Sequence, residues 1–272
     1  MKSVDIAASA DRGIVLLCAG RGSRMGAMTQ AHPKCLLPVG EKRVLDLMLD
    51  ELLPYTKGEI VVVTGFAAES VERHLASYGG RVRCVFNPDF ERDVNVLSVE
   101  IGVEALHHPE RGYLIVETDL LLDASAWSRI RAALRTPDSF WVCRGRYGPD
   151  LTGGIVRADD NGFIDRVDYQ PKYDQAYDGW HKMVGLLAVG AGQVEEDRRQ
   201  RRAVIGESIA EYYLVPWKRG ISSLPCRVLS VDGCFAASFN TAAEFDAVVG
   251  AYCLAQRETG KHAAAGQSEY GN

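Results

Sequence analysis

Short apolar runs alternate with helical patterns through the first half of the chain, and this alternation constrains the fold more than any other feature. The predicted strands are 13–20, 59–66, 81–87 and 112–119, and the predicted helices are 41–55, 67–79, 94–106 and 124–136. Because these strands are almost continuously apolar, each is expected to be buried on both faces. Strands and helices that alternate in this way form right-handed βαβ units, which predicts a parallel sheet covered by helices on both sides.

After about residue 140 the pattern changes, and turns rich in Gly, Asp and Asn separate shorter strands. Further strands are predicted at 139–145, 152–159, 163–169 and 183–190, helices at 206–217 and 239–258, and a solvated helical face at 195–202. The last helix is expected to begin with Asn240 or Thr241 as its N-cap and to carry Glu244 in its first turn.

These patterns together predict an α/β fold with one Rossmann-like, mostly parallel mixed sheet and flanking helices. We expect a single domain over residues 13–258, because no linker interrupts it, with a small β-rich elaboration at about 145–220. Residues 1–12 are interpreted as an N-terminal extension and residues 259–272 as a flexible tail.

Composition excludes several classes of protein. A net charge of -5 argues against a general nucleic-acid binder, which is normally basic over at least one domain. No apolar run is long enough for a signal peptide or a membrane span, so no membrane association is expected. The seven cysteines are odd in number and lack Cys-x-x-Cys spacing, which favours buried, reduced thiols in a cytoplasmic protein over a structural zinc site.

The stretch LLCAGRGSRMGAMTQAHPKCLLPVG, which begins within the first predicted strand, is typical of a loop that holds an anion. Gly20 and Gly22 allow the backbone to approach a ligand closely, and successive N–H groups there can line an anion pocket. Arg21 and Arg24 add forked donors for phosphate oxygens, and Lys34 adds a point charge. The loop lacks the last glycine of a dinucleotide-binding fingerprint and the Gly-Lys-Ser/Thr of a P-loop, so neither motif explains it.

The segment LCAGRGSRM…T…PKCLLPV, from Leu17 to Val39, resembles the leading motif of nucleotidyltransferases that make activated sugars, alcohols or phosphonates from nucleoside triphosphates. That family implies a GT-A-like form of the predicted fold. It also implies two catalytic residues, Arg24 for the triphosphate and Lys34 for the α-phosphate or the attacking group. The nucleotide is expected to bind along the loop at Leu17, Ala19, Gly20, Arg21, Gly22 and Ser23.

Two acidic residues end the fourth predicted strand. Glu117 and Asp119 are expected to face the same crevice as the loop, and Mg²⁺ is the partner that such carboxylates and a triphosphate would share. The resemblance implies that Asp119 is the metal ligand, and Glu117 is a further candidate. It also places a second ligand at Asn240, where the family carries an Asp; the alternative is that Asn240 only caps the last helix.

Two features make the resemblance closest to the cytidylyltransferases that act on phosphocholine or 2-aminoethylphosphonate, and so favour CTP. The Glu-Thr-Asp triplet that ends at Asp119 resembles the Glu-Ser-Asp of those enzymes. Asn87, Asn95 and Ser98 match their Asn-Pro…Asn-x-x-Ser stretch. Asn95 and Ser98 are therefore expected to bind the nucleotide; the alternative for Asn95 is that it caps the helix that it begins.

The acceptor is expected to bind to the second half of the chain. Lys172 and Lys182 offer charge for a phosphate or phosphonate, and Trp180 offers an aromatic face for an organic or ammonium group. Glu211, in the predicted helix 206–217, is expected to close the same pocket. The alternative is that the aromatic side chains of this region only pack against one another.

These observations predict a Mg²⁺-dependent nucleotidyltransferase that transfers CMP from CTP to a small phosphorylated or phosphonylated acceptor and releases pyrophosphate. Two alternatives stay open: a sugar-1-phosphate nucleotidyltransferase that uses UTP, dTTP or GTP, and a non-catalytic nucleotide-binding subunit. The sequence predicts no nucleic-acid partner and leaves a homodimer open.

Overall fold

The computed structural model describes residues 12–56 and 59–268 of the chain. The strands are β1 (Gly13–Cys18), β2 (Pro38–Val39), β3 (Lys42–Arg43), β4 (Ile60–Thr64), β5 (Val82–Phe86), β6 (Gly112–Glu117), β7 (Leu120–Leu122), β8 (Phe140–Arg146), β9 (Gly153–Ala158), β10 (Ile164–Gln170), β11 (His181–Gly190), β12 (Arg227–Ser230) and β13 (Ala236–Ser238). The helices are α1 (Val44–Leu52), α2 (Ala68–Leu75), α3 (Val96–Glu104), α4 (Ala124–Ala133), α5 (Val194–Glu207), α6 (Val215–Gly220) and α7 (Ala242–Ser268). Every strand and helix predicted for the first half is present, with ends shifted by a few residues.

Nine strands of the described residues form one mixed sheet, and seven of them lie in the order β10-β9-β11-β6-β1-β4-β5. β1 is parallel to both β4 and β6, whereas β11 runs antiparallel to β6, β8 and β9. The predicted mixed, Rossmann-like sheet with a β-rich second half is therefore confirmed. Because β4 and β6 lie on opposite sides of β1, the strand order reverses at β1, and ligands of such sheets bind beyond the strand ends at this point.

Alternate residues of the central strands face two separate hydrophobic cores. Ile14 and Leu16 of β1 face a core shared with α1, α2, α4 and α7. Val15 faces the other core, which α3, α5 and α6 cover. Helices on both faces explain why the strands have no polar side, and they leave the carboxyl ends of β1 and β6 as the polar edge of the sheet.

A small two-stranded sheet that the sequence did not predict lies next to the end of β6. β7 and β13 pair antiparallel, from Leu122 opposite Ala236 to Leu120 opposite Ser238. The pairing continues into a hydrogen bond from the Phe239 N–H to the Asp119 carbonyl oxygen, at 2.9 Å. Two segments that are far apart in sequence are thereby joined at the edge of the crevice.

The prediction of one continuous helix at 206–217 is wrong. Helix α5 ends at Glu207, residues 208–214 contain no helix or strand, and α6 begins only at Val215 with Pro216 in its first turn. Proline at that position fits the first turn of a helix, where its missing N–H is not needed, whereas in the middle of a longer helix it would remove a hydrogen bond. The sequence pattern had merged the end of one helix with the start of another.

Residues 195–202 form part of α5, but they are not simply a solvated face. Asp197 and Arg201 are each only 1% exposed. They form an ion pair, and Asp197 also accepts hydrogen bonds from the Tyr113 hydroxyl and from Trp217 Nε1, the latter at 2.8 Å. This buried polar group ties α5 to β6 and to α6, which is why charged residues occur on an inward-facing side of the helix.

The two ends of the chain differ from the prediction. Arg12 is buried and donates a hydrogen bond to the Asp138 carbonyl oxygen at 3.2 Å, so it belongs to the folded body, whereas residues 1–11 of the predicted extension lie outside the described residues. The backbone of α7 continues to Ser268, into the predicted tail, and residues 269–272 lie outside the described residues. Within the described part of the chain, no helix is both long and apolar enough to cross a membrane.

Gly102 allows α3 to pack closely on the sheet, and we expect Gly102→Ala to destabilise the protein. An added Cβ would lie 2.3 Å from Val15 Cγ1 and 2.8 Å from Val63 Cγ2. The gain in helix propensity, about 1 kcal/mol, is smaller than the overpacking cost of about 1–3 kcal/mol, which two rigid β-branched neighbours place at the upper end. Urea denaturation should show a lower midpoint.

The matched control for this prediction is Gly80→Ala, because an added Cβ at Gly80 meets no atom within 4 Å. Its free energy of unfolding should stay within about 0.5 kcal/mol of the unchanged protein. Equal stability of both variants would mean that α3 does not pack on β1 as closely as described.

Candidate active site

A cavity of about 580 Å³ lies beyond the carboxyl ends of β1 and β6. These strands are neighbours in register, with Leu17 opposite Glu117, so the loop after β1 and the acids after β6 meet there. The predicted site residues that line the cavity are Leu17, Ala19, Gly20, Gly22, Ser23, Arg24, Lys34, Asn95, Ser98, Glu117, Asp119, Lys182 and Asn240. Most of the predicted site is thus brought together in one place, although the role of each residue stays a prediction.

Lys34 and Asp119 form an ion pair in the cavity. Lys34 Nζ lies 2.9 Å from Asp119 Oδ2, and the two side chains are 13% and 26% exposed. The stem of the lysine crosses Gly22, where an added Cβ would lie 2.7 Å from Lys34 Cγ. Gly22 also has a φ of 66°, in the left-handed region that favours glycine. The glycine therefore serves both the loop conformation and the path of the lysine.

Arg24 reaches across the cavity to the residue that precedes the last helix. Its Nη2 donates to Asn240 Oδ1 at 2.7 Å. The cap of α7 comes instead from Thr241, whose hydroxyl accepts a hydrogen bond from the Glu244 N–H at 3.2 Å, while the Glu244 carboxylate accepts from the Asn240 N–H at 2.6 Å. Of the two predicted caps the structure has Thr241, and the Asn240 side chain faces Arg24.

Glu117 and Lys182 are two partly buried groups of opposite charge in the same cavity. Burial and the neighbouring Asp119 raise the pKa of Glu117 to about 7, against the opposing effect of Lys182 and Lys34. Burial lowers the pKa of Lys182 to about 8, and Glu117 opposes that shift. The Glu117 carboxylate lies against Gly185, which has a φ of 78° and where an added Cβ would come within 2.5 Å of Glu117 Oε2.

The first N–H groups of α3 are held by an acidic side chain that the sequence analysis did not single out. The Leu97 and Ser98 N–H groups donate to the Asp93 carboxylate at 3.0 and 2.8 Å, and the Ser98 hydroxyl donates to it as well. Asn87 supports the same carboxylate through its Nδ2 at 2.9 Å. Asp93 is therefore the side chain that caps α3. Asn95 occupies the N-cap position, but its side chain makes no capping hydrogen bond, so the alternative that this side chain caps the helix does not hold.

Four predicted site residues do not line the cavity. Arg21 lies over the Phe66 ring, 5.0 Å from its centroid. The Trp180 ring packs edge-on against the Tyr177 ring, with 5.1 Å between the centroids. This agrees with the alternative that the aromatic side chains of this region pack against one another. Lys172 and Glu211 contribute backbone carbonyl oxygens, which accept from the Tyr147 hydroxyl at 2.9 Å and the Val96 N–H at 3.2 Å. The assignment of these residues to the site is corrected accordingly: sequence spacing placed them near the cavity but did not fix where their side chains point.

Tyr169, Gly153 and Gly154, which the sequence analysis did not single out, also line the cavity. Tyr169 and Tyr212 stack at 4.5 Å between ring centroids, with their hydroxyl oxygens 3.3 Å apart. Gly153, with a φ of 108°, and Gly154 bring the backbone of β9 close to Lys182, whose Nζ donates to the Gly154 carbonyl oxygen at 3.4 Å. The only available signal was that tyrosines and glycines flank the predicted strands of the second half.

Oxygen donors of the cavity suit a metal ion that the substrate would share. No group of three or more His, Cys, Asp or Glu side chains in the described residues is arranged to hold a metal ion. Glu117 and Asp119 nevertheless supply carboxylates beside the anion-binding loop. Mg²⁺ commonly takes only one or two carboxylates and completes its coordination with substrate phosphates and water, so this donor set fits that ion.

Comparison with known proteins relates most of the chain to one family. A family model of the MobA-like NTP transferase domain matches residues 14–203. That region contains β1 to β11 and most of α5, and with them the loop after β1, the acids after β6 and the β9–β11 hairpin region. The match therefore includes every lining residue among the described ones except those of the segment after α5 and those between residues 238 and 244.

Two curated relatives match shorter parts of the chain. CMP-5'-(3-aminopropyl)phosphonate synthase of Streptomyces rubellomurinus is 34% identical over 158 residues, which are 57% of this chain and 24% of that protein. Choline-phosphate cytidylyltransferase of Streptococcus pneumoniae is 29% identical over 92 residues, which are 34% of this chain and 39% of that protein. The matched segments thus span well under two thirds of either relative.

Solved structures share the fold over nearly the whole chain. The structure of CTP:phosphocholine cytidylyltransferase from Streptococcus pneumoniae covers 88% of this chain and 98% of its own, with a TM-score of 0.75 and 18% identity. That of inositol-1-phosphate CTP transferase from T. maritima covers 86% and 91%, with a TM-score of 0.67 and 14% identity. At these identities the likeness is one of fold.

The raised pKa of Glu117 predicts a specific pH dependence of stability. In the folded protein the carboxyl keeps its proton up to about pH 7, whereas in the unfolded chain it loses the proton near its ordinary value of 4.5. Glu117 therefore lowers the free energy of unfolding as the pH rises from about 4.5 to 7. Because Glu117→Gln removes this effect, the variant should gain stability relative to the unchanged protein over that range, on the order of 1–3 kcal/mol.

Urea denaturation at pH 4.5, 6 and 7.5, in the presence of EDTA, measures this difference. Glu195→Gln is the matched control, because the Glu195 side chain is 85% exposed. The control should differ from the unchanged protein by the same amount at each pH. A difference for Glu117→Gln that also stays constant with pH would contradict the assignment of a raised pKa.

Proposed function

Because the chain belongs to the MobA-like NTP transferase domain family, we propose that it is a nucleotidyltransferase that transfers CMP from CTP to a small phosphorylated or phosphonylated acceptor. The observation that carries the proposal is the contact of Lys34 with Asp119 at 2.9 Å, in the cavity that the glycine loop and Arg24 also line. Transfer of a nucleotidyl unit needs cations for the phosphates, a backbone that the ligand can approach closely, and a carboxylate nearby. The cavity brings these three features together at one edge of the sheet.

The reaction forms one bond at phosphorus and breaks another. An oxygen of the acceptor phosphate or phosphonate attacks the α-phosphorus of CTP, the bond from that phosphorus to the β-phosphate oxygen breaks, and pyrophosphate leaves. Negative charge then increases on the non-bridging and leaving oxygens, where Lys34 and Arg24 provide fixed positive charge. The same cations also offset the repulsion between two anionic reactants, so much of the catalysis would come from positioning.

Asp119 and Glu117 would hold Mg²⁺ together with phosphate oxygens of the nucleotide. When bound, the ion supplies additional positive charge at the phosphates. In its absence Asp119 is paired with Lys34, so the lysine would exchange this partner for phosphate when the nucleotide binds. Asn240, which now accepts from Arg24, offers an uncharged oxygen at the same edge.

Two observations support CTP over the other nucleotides. The Glu-Thr-Asp triplet that ends at Asp119 resembles that of cytidylyltransferases, and the two curated relatives described above carry names of CMP- or cytidylyl-transferring enzymes. Their names also suggest a phosphonate or phosphocholine as the acceptor. Lys182 and the Tyr169–Tyr212 pair offer a cation and aromatic rings at the end of the cavity that the second half of the chain forms. We call this the acceptor end.

Pyrophosphate release tests the proposal directly. The protein is incubated with Mg²⁺ and, in turn, CTP, UTP, dTTP, GTP or ATP, each with phosphocholine, 3-aminopropylphosphonate or glucose 1-phosphate, and products are identified by mass. We expect CTP with one of the first two acceptors to be faster than any other pair by about tenfold or more, and EDTA to abolish turnover.

The other outcomes of that experiment separate the alternatives. A preference for UTP, dTTP or GTP with glucose 1-phosphate would replace the proposal with a sugar-1-phosphate nucleotidyltransferase. Nucleotide binding in calorimetry without pyrophosphate release for any pair would support a non-catalytic nucleotide-binding protein.

Replacing Lys34 tests the charge on which the mechanism relies. Lys34→Met should lower kcat by about 10²- to 10³-fold, because it removes a fixed cation from the reacting phosphates. Lys42→Met is the matched control, since that lysine is 57% exposed and pairs with Asp50 on the surface. Steady-state rates are compared after circular dichroism has verified that both variants fold. Turnover of Lys34→Met close to that of the control would remove Lys34 from the mechanism.

A further inference from the structure

The segment Ser208–Leu214, which we call the strap, forms one wall of the cavity without any helix or strand of its own. Tyr212, Tyr213 and Leu214 of the strap line the cavity. A segment without a hydrogen-bonded ladder depends on individual contacts for its position. The question is therefore which contacts hold the strap.

Two backbone groups of the strap are held by consecutive residues at the start of α3. The Val96 N–H donates to the Glu211 carbonyl oxygen at 3.2 Å. The Tyr213 N–H donates to Asn95 Oδ1 at 2.7 Å. Because residues 211 and 213 flank Tyr212, these bonds fix the backbone on both sides of that tyrosine. Only the bond to Asn95 uses a side chain, so only this one can be removed by substitution.

The fixed backbone determines where the Tyr212 ring lies. It stacks on Tyr169 of β10 at 4.5 Å between centroids. The neighbouring Tyr213 ring is buried and packs on Trp141 at 5.3 Å. Because both rings are attached to the strap, a shift of its backbone would move the Tyr212 ring relative to Tyr169.

The second polar group of Asn95 holds a different wall of the same cavity. Its Nδ2 donates to Glu117 Oε1 at 3.3 Å. Glu117 is confined from the other side by the close approach of its carboxylate to Gly185. One amide side chain thus contacts both the strap and the acid at the end of β6.

We propose that Asn95 is a positioning residue that sets the acceptor end of the cavity. Its Oδ1 holds the strap so that Tyr212 stacks on Tyr169, and its Nδ2 orients the Glu117 carboxylate. The name of that end rests on the proposed function, whereas the position of the strap does not. This role differs from direct binding of the nucleotide, which predicts a different kinetic result.

Three variants separate the two bonds of Asn95. Asn95→Asp keeps an oxygen for the Tyr213 N–H but replaces the donor to Glu117 with a second carboxylate. Asn95→Leu removes both bonds at similar volume, and Asn95→Ala serves the same comparison should the leucine variant fail to fold. Asn161→Asp is the matched control, because Asn161 is exposed and its side chain makes no hydrogen bond within the described residues.

Kinetics distinguish positioning from nucleotide binding. The assay uses CTP and whichever of phosphocholine or 3-aminopropylphosphonate supports turnover. Asn95→Leu should raise the KM of the acceptor about tenfold, because it removes one hydrogen bond that holds the strap. The KM of CTP should change less than about twofold. Asn95→Asp should keep the acceptor KM and lower kcat. A raised KM for CTP in both variants would overturn the proposal in favour of direct nucleotide binding.

Amide hydrogen exchange tests the strap without any substrate. We expect faster exchange in peptides covering residues 208–214 for Asn95→Leu, and unchanged exchange for Asn95→Asp and Asn161→Asp. Unchanged exchange in Asn95→Leu or Asn95→Ala would overturn the proposal. If no nucleotide and acceptor pair supports turnover, the proposed function fails, and the exchange result still decides whether Asn95 holds the strap.

Discussion

The contact of Lys34 with Asp119 is the interaction on which the rest of the site depends. Two opposite charges about 3 Å apart, each only partly exposed, attract by several kcal/mol at the effective dielectric constant of a protein surface, and this offsets much of the cost of removing them from water. The pair exists only because β1 and β6 are adjacent parallel strands and because β7 pairs with β13 beyond Asp119. The strand order of the sheet is therefore also what assembles the charged groups of the cavity.

Of the three cationic side chains that line the cavity within the described residues, two have an acidic neighbour there. Lys34 faces Asp119, Lys182 lies close enough to Glu117 for each to shift the pKa of the other, and Arg24 donates to the uncharged Asn240. Such pairing keeps unpaired charge out of a partly buried space, where it would be costly. A polyanion that enters can take over the cations without a large rearrangement, because their positions are already fixed by Gly22 and by the helix cap at Thr241.

The sequence predicted the parallel half of the fold and the nucleotide side of the site because both rest on local patterns. Runs such as 13–20 and 112–119 are too apolar to be anything but buried strands, and the loop motif specifies Arg24 and Lys34 by spacing. It failed where position depends on distant partners. Strands β7 and β13 are too short to show alternation, and the direction of the Glu211 side chain follows from the strap, which the sequence pattern predicted as helix. Asp93 lies between the matched residues Asn87 and Asn95, at a position that the motif does not specify, so its role as the cap of α3 was not predicted.

The two sides of the cavity are stabilised by different kinds of structure. The side that we propose binds the nucleotide is built on the ends of β1 and β6, whose hydrogen-bonded ladder is shared with the whole sheet. The opposite wall, the strap, is held at one end by Asn95 and is followed by α6, which Trp217 ties to Asp197 at 2.8 Å. Substitutions in the strap can change the shape of that wall without breaking a strand pair, whereas changes at the strand ends would disturb the core. A fold of this kind can therefore keep one nucleotide site and vary the group that it modifies.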